Sequence, residues 1–251
     1  MTTHAHLLVV GGTKGIGRAV AQRLAADDQA VSVIGRHEPA GDLDDRIKAW
    51  PVDVADRAAL HAALHGIVGS QGPLSGAVLL QRYRGGGDDW AGEIATSVTA
   101  TRELIEWAGE HFEDRGRGKA IVVVSSVASR FIAAEQPVSY HVAKAALSQM
   151  VRYYAVSLGR MGIRINAICP GTVVKEESRA FYAAHPEIEA LFRDIVPLGR
   201  MGTSEDVAEL AAFLVSGRAA FLTGQNIVLD GGVSLQSHES MGRYLADSRG
   251  R

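Results

Sequence analysis

The stretch Leu7-Leu8-Val9-Val10-Gly11-Gly12-Thr13-Lys14-Gly15-Ile16-Gly17 decides the fold. Its first four residues form a short continuous apolar run, the pattern of a parallel strand covered on both faces. Ile16, Val20 and Leu24 then recur at helical spacing. Between strand and helix, glycines permit a tight turn and let backbone N–H groups approach a diphosphate at the helix start. A glycine turn alone is weak evidence. A second apolar run, Ala30-Val31-Ser32-Val33-Ile34, completes a βαβ unit and makes the motif a dinucleotide signature. The candidate cofactor residues in this loop are Gly11, Thr13, Lys14, Gly15, Ile16 and Gly17.

The alternation continues along the chain. Residues 48–54, 76–80, 120–124, 163–168 and 225–229 read as further strands. Asp56 is placed to cap a helix whose apolar face is Leu60, Leu64, Ile67 and Val68. A long amphipathic helix is expected near residues 90–111, with Trp90 and Trp107 as packing residues. Thr203 and Asp206 make a capping-box pattern ahead of Val207, Leu210, Ala211 and Leu214. Alternating β and α units imply an α/β chain: a three-layer, doubly wound Rossmann fold with a mostly or wholly parallel seven-stranded sheet. No linker or repeat divides residues 1–251, so one dinucleotide-binding and catalytic domain is expected. Ligands then lie beyond the carboxyl ends of the strands, where the glycine loop, Ser126 and Pro170-Gly171 all fall.

Composition narrows the partners. The 251 residues are 47% hydrophobic and 22% charged, ordinary for a globular protein. A formal net charge of -2 gives no basic field for nucleic acid or an anionic membrane. The single Cys169 excludes an intrachain disulfide and a cysteine-cluster metal site, and it reads as a packed thiol. No apolar run approaches ~20 residues, and the N-terminus lacks the pattern of a signal peptide. A cytoplasmic location, with no bound metal, is the expectation. His4 and His6 read as part of a frayed, solvated end.

The chemistry centres on Tyr140-His141-Val142-Ala143-Lys144. Tyr140, Lys144, Leu147, Val151, Tyr154 and Leu158 form one helical stripe; Ser139 can cap the start, and Gly162 stands past the end. Tyr140 and Lys144 therefore share a face at i and i+4. A free phenol titrates near about 10; an ammonium one turn away favours its ionised form. Such a tyrosine can exchange a proton with a substrate oxygen near neutrality. His141 points off that face. At the end of the second strand, Gly35-Arg36 places a cation where an acid would accept the 2′-hydroxyl of NAD. Arg36 and Lys14 together favour the 2′-phosphate of NADP, although Glu38 lies close by in sequence.

Taken in order, these motifs resemble the short-chain dehydrogenase/reductase family. The matching features are Gly11-x3-Gly15-Ile16-Gly17, Asp53-Val54, Ser126, Tyr140-x3-Lys144, and the run 166–171 with Asn166, Pro170 and Gly171. Gly199-Arg200-Met201-Gly202, Asp206-Val207-Ala208 and Asp230-Gly231-Gly232 also match. The resemblance covers nearly the whole chain. It implies Tyr140 as general acid/base and Ser126 as a hydroxyl donor to the substrate oxygen. It implies Lys144 on the nicotinamide ribose, Asp53 and Val54 at the adenine, and Pro170, Gly171 and Val173 facing the nicotinamide. A mobile lid over about 175–196 and a homo-oligomer, tetramer or dimer, also follow from it; an ordinary surface helix pair is the alternative for 175–196.

The departures are specific. The usual Asn-Asn-Ala-Gly wall after the fourth strand is replaced by Leu80-Gln81-Arg82-Tyr83 and then Arg84-Gly85-Gly86-Gly87. Gln81 becomes the candidate wall residue; Arg82 and Tyr83 either enter the site or point to water. Ser97 stands where the family carries a helix-kinking asparagine that supports a proton relay. Lys175 stands where a threonine often contacts the carboxamide, with Thr172 nearer. The interval from Ser126 to Tyr140 is one residue longer than is common, and Ser125 is expected to be buried. Three function classes follow: an NADP(H)-dependent reductase or dehydrogenase of a small carbonyl or alcohol, an NADP-binding protein with little turnover, and a non-redox lyase or cyclase using the same site.

Overall fold

The computed structural model describes residues 5–41, 43–85, 89–116 and 118–249. The first apolar run becomes β1 (His6–Val10), buried along its whole length. The glycine turn leads into α1 (Gly15–Ala26), then β2 (Ala30–Gly35), β3 (Ile47–Pro51), α2 (Arg57–Gln71) and β4 (Gly76–Leu79). The long helix is three segments end to end: α3 (Trp90–Glu93), a π-helical stretch (Ile94–Thr99) and α4 (Ala100–His111). Then come β5 (Lys119–Val124), α5 (Val138–Gly159), β6 (Ile163–Pro170), β7 (Val173–Val174), α6 (Glu176–Ala184) and α7 (Pro186–Ile195). The chain closes with β8 (Gly202–Thr203), α8 (Ser204–Val215), β9 (Asn226–Leu229) and α9 (His238–Arg249).

The main sheet has seven strands in the order β3-β2-β1-β4-β5-β6-β9. Every neighbouring pair is parallel, so the expected Rossmann architecture holds. Successive residues of a strand face opposite ways. Leu8 and Val10 accordingly enter a core with Leu64, Ile105, Leu147 and Val151. Leu7 and Val9 enter the opposite core with Val20, Leu24, Val207 and Ala211. The order reverses between β1 and β4, which opens a crevice at their carboxyl ends.

Local rules predicted from sequence operate as expected at several ends. Asp56 accepts from Ala59 N at 3.0 Å and caps α2. At α8, Asp206 N donates to Thr203 Oγ1 at 3.2 Å and Thr203 N donates to Asp206 Oδ2 at 2.8 Å. Arg200 clamps the same carboxylate at 2.6 and 2.8 Å, and that hydrogen bonding holds its pKa down to about 2.

Other details differ. Pro137, not Ser139, precedes α5; Ser139 lies inside the helix and is buried. The third strand stops at Pro51, so Asp53 and Val54 lie past its end. Trp90 is 51% exposed, whereas Trp107 packs in the core, so only the second is a packing residue. His6 is not in a frayed end. It is buried in β1, with ring nitrogens 2.8 Å from the Gly72 carbonyl and 2.9 Å from the Ser32 hydroxyl. Burial lowers its pKa. His4 lies outside the described residues. The short β7–β8 pair and α9 have no counterpart in the sequence reading.

Gly17 fixes the approach of α1 to the sheet. A Cβ there would fall 2.1 Å from the Gly11 carbonyl oxygen, a contact relieved only by moving backbone. Gly17→Ala is therefore expected to destabilise the protein by about 2 kcal/mol, or about 6 °C in Tm, as overpacking does. A thermal melt unchanged from the wild type would contradict this reading of the turn.

Candidate active site

The crevice forms because all seven strands end at one edge of the sheet. Two cavities lie along it, of about 300 and 150 Å3. They share Gly11, Lys14, Leu80, Arg82 and Arg84. The smaller is lined by Thr13, Gly35, Arg36, Asp53, Val54 and Gln81. The larger is lined by Ile16, Gly17, Ser126, Tyr140, Lys144, Pro170, Gly171 and Val173. Nearly every candidate residue from the sequence is thus brought to one continuous trough. Glu38 lines neither cavity. Gly15 and Ser97 line neither as well: Gly15 sits against the Glu177 carboxylate of α6, and Ser97 is fully buried behind the loop after β4.

The glycine loop is a backbone cradle. Gly11 has φ +82, and a Cβ there would meet Gln81 N at 2.9 Å. No side chain caps the N-terminus of α1, and its first turn carries no acid. Its positive dipole end and N–H groups are suited to an anion. Lys14 and Arg36 are exposed cations at the rim. These features fit a dinucleotide carrying a diphosphate and a further phosphate. One group stands in the way: the Glu177 carboxylate of α6, whose Oε2 lies 2.9 Å from where a Gly15 Cβ would be. It must swing aside for a diphosphate to approach that loop.

Lys144 is the buried charge of the site, 4% exposed. Its Nζ donates to Val124 O at 3.0 Å and lies 5.6 Å from the Tyr140 ring centroid. Burial pulls its pKa down to about 8; Glu93 opposes that shift and Arg82 adds to it. Ser125 is buried as expected, its hydroxyl donating to Lys144 O at 2.9 Å and thereby tying α5 to the end of β5. Ser126 Oγ accepts from Ala128 N at 3.1 Å, opening a short turn at Val127–Ser129. That hydroxyl keeps its proton for another acceptor. Cys169 is a packed thiol, 2% exposed, and burial raises its pKa.

Sequence reasoning missed the network behind Lys144. Glu93 is a buried carboxylate, 4% exposed, and accepts from Ser97 Oγ at 2.5 Å. Ser97 O accepts from Thr101 Oγ1 at 2.7 Å, and Thr101 Oγ1 accepts from Gln81 Nε2 at 2.6 Å. Gln81 of the loop after β4, the π-helical turn and the acid facing Lys144 are therefore one hydrogen-bonded chain. The i, i+4 spacing of Glu93 and Ser97 was the available signal. The helical distortion survives without the asparagine: Ser97 lies within the π-helical stretch.

Arg82 enters the site. Its guanidinium lies 4.6 Å from the Tyr140 ring centroid, and its Nη2 donates to Gln136 Oε1 at 2.8 Å. Tyr83 turns toward the smaller cavity, its hydroxyl donating to Asp89 at 2.5 Å. Gly86 and Gly87 lie outside the described residues. His141 works on the loop before α5. Its Nε2 accepts from Ala133 N and its Nδ1 meets Pro137 O, both at 2.9 Å, which fixes the segment carrying Gln136. Thr172 and Lys175 both line the larger cavity. Among the described residues, no three His, Cys, Asp or Glu side chains cluster as a metal site requires. No described helix is long and apolar enough to cross a membrane.

Fold and site together define a ligand-binding trough at the switch point of a parallel α/β sheet. Residues 10–234 match the family described as Enoyl-(Acyl carrier protein) reductase, and the chain belongs to the short-chain dehydrogenase/reductase family. It is 38% identical to "Inactive 2-(S)-hydroxypropyl-CoM dehydrogenase 2" of Xanthobacter autotrophicus over 74% of this chain and 85% of that one. It is 30% identical to the 3-oxoacyl-[acyl-carrier-protein] reductase FabG of Staphylococcus aureus over 90% of this chain and 96% of that one. In fold it is similar to ligand-free aldohexose dehydrogenase of Thermoplasma acidophilum, with a TM-score of 0.84 at 23% identity, covering 94% and 96% of the two chains.

The depressed Lys144 pKa is a stability statement. Between about 8 and the ordinary 10.5 the unfolded chain binds more protons than the folded one, so stability contributed by this residue rises with pH there. Below that window the buried ammonium costs up to about 3 kcal/mol. The difference in melting temperature between wild type and Lys144→Met, in protein free of cofactor, is expected to move by several degrees in favour of wild type between pH 7 and pH 10. A difference that does not vary with pH would contradict the assignment.

Proposed function

We propose that the chain is an NADP(H)-dependent oxidoreductase acting on a small carbonyl or secondary alcohol, with Tyr140 as general acid and base. The observation that carries the reading is the shared cavity. Tyr140, Ser126 and Lys144 line it together with the glycine loop and the Pro170-Gly171 wall. The family is one of nicotinamide-dependent enzymes, and the bound cofactor would supply or accept the hydride. Each remaining role falls to a residue of this chain. Ser126 donates its hydroxyl proton in a hydrogen bond to the carbonyl oxygen, and Tyr140 delivers a proton to that oxygen as negative charge grows on it. In the oxidative direction Tyr140 takes the proton back. Lys144 holds the nicotinamide ribose. The Ser97 carbonyl would hold a water through which the lysine recovers protons, with Glu93 behind it.

Cofactor binding is assigned residue by residue. Gly11, Thr13, Lys14, Gly15, Ile16 and Gly17 take the diphosphate region, and Arg36 with Lys14 takes the 2′-phosphate. Asp53 and Val54 flank the adenine, Gln81 forms the wall, and Pro170, Gly171 and Val173 face the nicotinamide. The helices α6 and α7, in which no residue is fully buried, act as the lid over about 175–196. We read residues 1–251 as a single domain in a cytoplasmic homo-oligomer, tetramer or dimer, with small-molecule partners and neither nucleic acid nor membrane.

A second reading is an NADP-binding protein with little turnover. The Arg82 guanidinium against the Tyr140 ring favours it. A test separates the two. Tyr140→Phe is expected to lose about 10²–10⁴-fold in turnover, the size of a lost acid catalyst, while NADPH still binds. NADPH is expected to bind at least about tenfold more tightly than NADH, or about 1.4 kcal/mol. Turnover near that of the wild type would remove Tyr140 from the mechanism, and equal cofactor affinities would remove the roles of Arg36 and Lys14. Tight NADPH binding by the wild type, with no ketone or aldehyde reduced, would favour the second reading.

A further inference from the structure

The larger cavity carries more positive charge than a carbonyl and its proton donors need. Among the described residues, Lys14, Arg82, Arg84, Lys144 and Lys175 line it against one acid, Glu135. Lys14 and Lys144 have roles in the reading above. Arg82, Arg84 and Lys175 do not, and among the described residues none of the three forms an ion pair. They come from two separate elements. Arg82 and Arg84 follow β4, and Lys175 stands at the entry to α6, the first helix of the lid.

Arg82 is held rather than free. Its guanidinium packs 4.6 Å from the Tyr140 ring centroid, and one Nη is spent on Gln136. The Gln136 segment is itself fixed by His141. Yet, among the described residues, Arg82 Nε is buried and has no hydrogen-bond partner. An unpaired buried donor on a cation is costly and calls for an acceptor. Burial, followed by repulsion from Arg84 and Arg82, lowers the Lys175 pKa, with Tyr140 and Glu177 opposing. An anion placed among the three would offset that repulsion and give the guanidinium a counter-charge.

We infer that Arg82, Arg84 and Lys175 form a subsite for an anionic group of the substrate, a carboxylate or sulfonate attached only a few bonds from the reacting carbonyl. This rests on the oxidoreductase reading and names the substrate class within it: a short oxo acid or the corresponding hydroxy acid. The shortness follows from geometry, since the guanidinium lies against the same ring whose hydroxyl serves the carbonyl oxygen. An arginine fork can hold either group through paired N–H donors. Because Lys175 opens the lid, the anion would also draw the lid onto the β4 loop, so charge recognition and closure become one event. The competing source of negative charge is the cofactor's diphosphate, because Arg82 and Arg84 also line the smaller cavity.

Matched substrates distinguish the sources. Acetoacetate and levulinate are compared with their methyl esters, which keep the ketone and lose the charge, and NADPH affinity is titrated alongside. Wild type is expected to favour the acids in kcat/KM by at least about tenfold. In Arg82→Gln/Lys175→Gln that ratio should fall to about one, with the NADPH Kd moved by less than about threefold, and Arg82→Lys should restore part of the preference. A wild-type ratio of one would overturn the subsite. A double variant that loses NADPH binding but keeps the acid preference would assign the cations to the diphosphate and overturn it equally. If no ketone is reduced at all, the oxidoreductase reading fails, and calorimetry with propanesulfonate on the NADPH-bound protein decides the subsite alone. Saturable binding that the double variant loses supports it; no binding in wild type overturns it.

Discussion

A lysine ammonium buried at the end of a parallel strand sets the terms for the rest of the site. Parallel strands leave their last carbonyls facing the crevice, and Lys144 Nζ is anchored on one of them, Val124 O. A charge out of water needs more than one partner. The remaining support comes from the long helix that packs beside α5 on the same face of the sheet, where Glu93 is buried and raises the Lys144 pKa against desolvation. To present Glu93 there while Ser97 and Thr101 pair inward, the helix runs through a π-helical turn. Ser125 then ties α5 back to β5 through the Lys144 carbonyl. Position of the lysine, shape of the helix and orientation of α5 are thus one constraint, and Tyr140 is carried into the cavity by it.

Much of this was legible in the chain itself. Continuous apolar runs marked the strands of the sheet because both faces of a parallel sheet are covered. The glycine turn was readable because Gly11 and Gly17 sit where backbone meets backbone and no Cβ fits. Asp56, Thr203 and Asp206 announced helix starts because capping is local chemistry. The trough was legible for a related reason: residues at strand ends must share an edge. What was hidden depends on contacts between elements distant in sequence. His6 looked like a loose terminal residue, yet its partners Ser32 and Gly72 come from β2 and the end of α2. Two-residue strands such as β7 and β8 carry no periodicity to detect. Arg82 could be assigned to the site only once Tyr140 and Gln136 were seen beside it.

The helix α6 and the glycine loop show how charge organises the trough. Glu177 stands beside Gly15, at the end of α1 where an anion is favoured. A carboxylate there occupies the approach of a diphosphate, and its displacement would free the lid helix to move. Lys175, at the N-cap of α6, faces the cations of the β4 loop. One helix start therefore sets an acid beside the glycine loop and a base beside Arg82 and Arg84. The helices α6 and α7, with no fully buried residue, have little packing to resist such a rearrangement.

The account stands on Tyr140 and Ser126 meeting one oxygen above a nicotinamide ring seated by Lys144. A crystal structure of the NADPH complex tests this most directly. It should show both hydroxyls converging on a common point beside the reactive carbon of the ring, with Lys144 Nζ on the ribose and Glu177 withdrawn from Gly15. A complex in which the ring lies away from Tyr140, with Arg82 still filling the space over the phenol, would contradict the account.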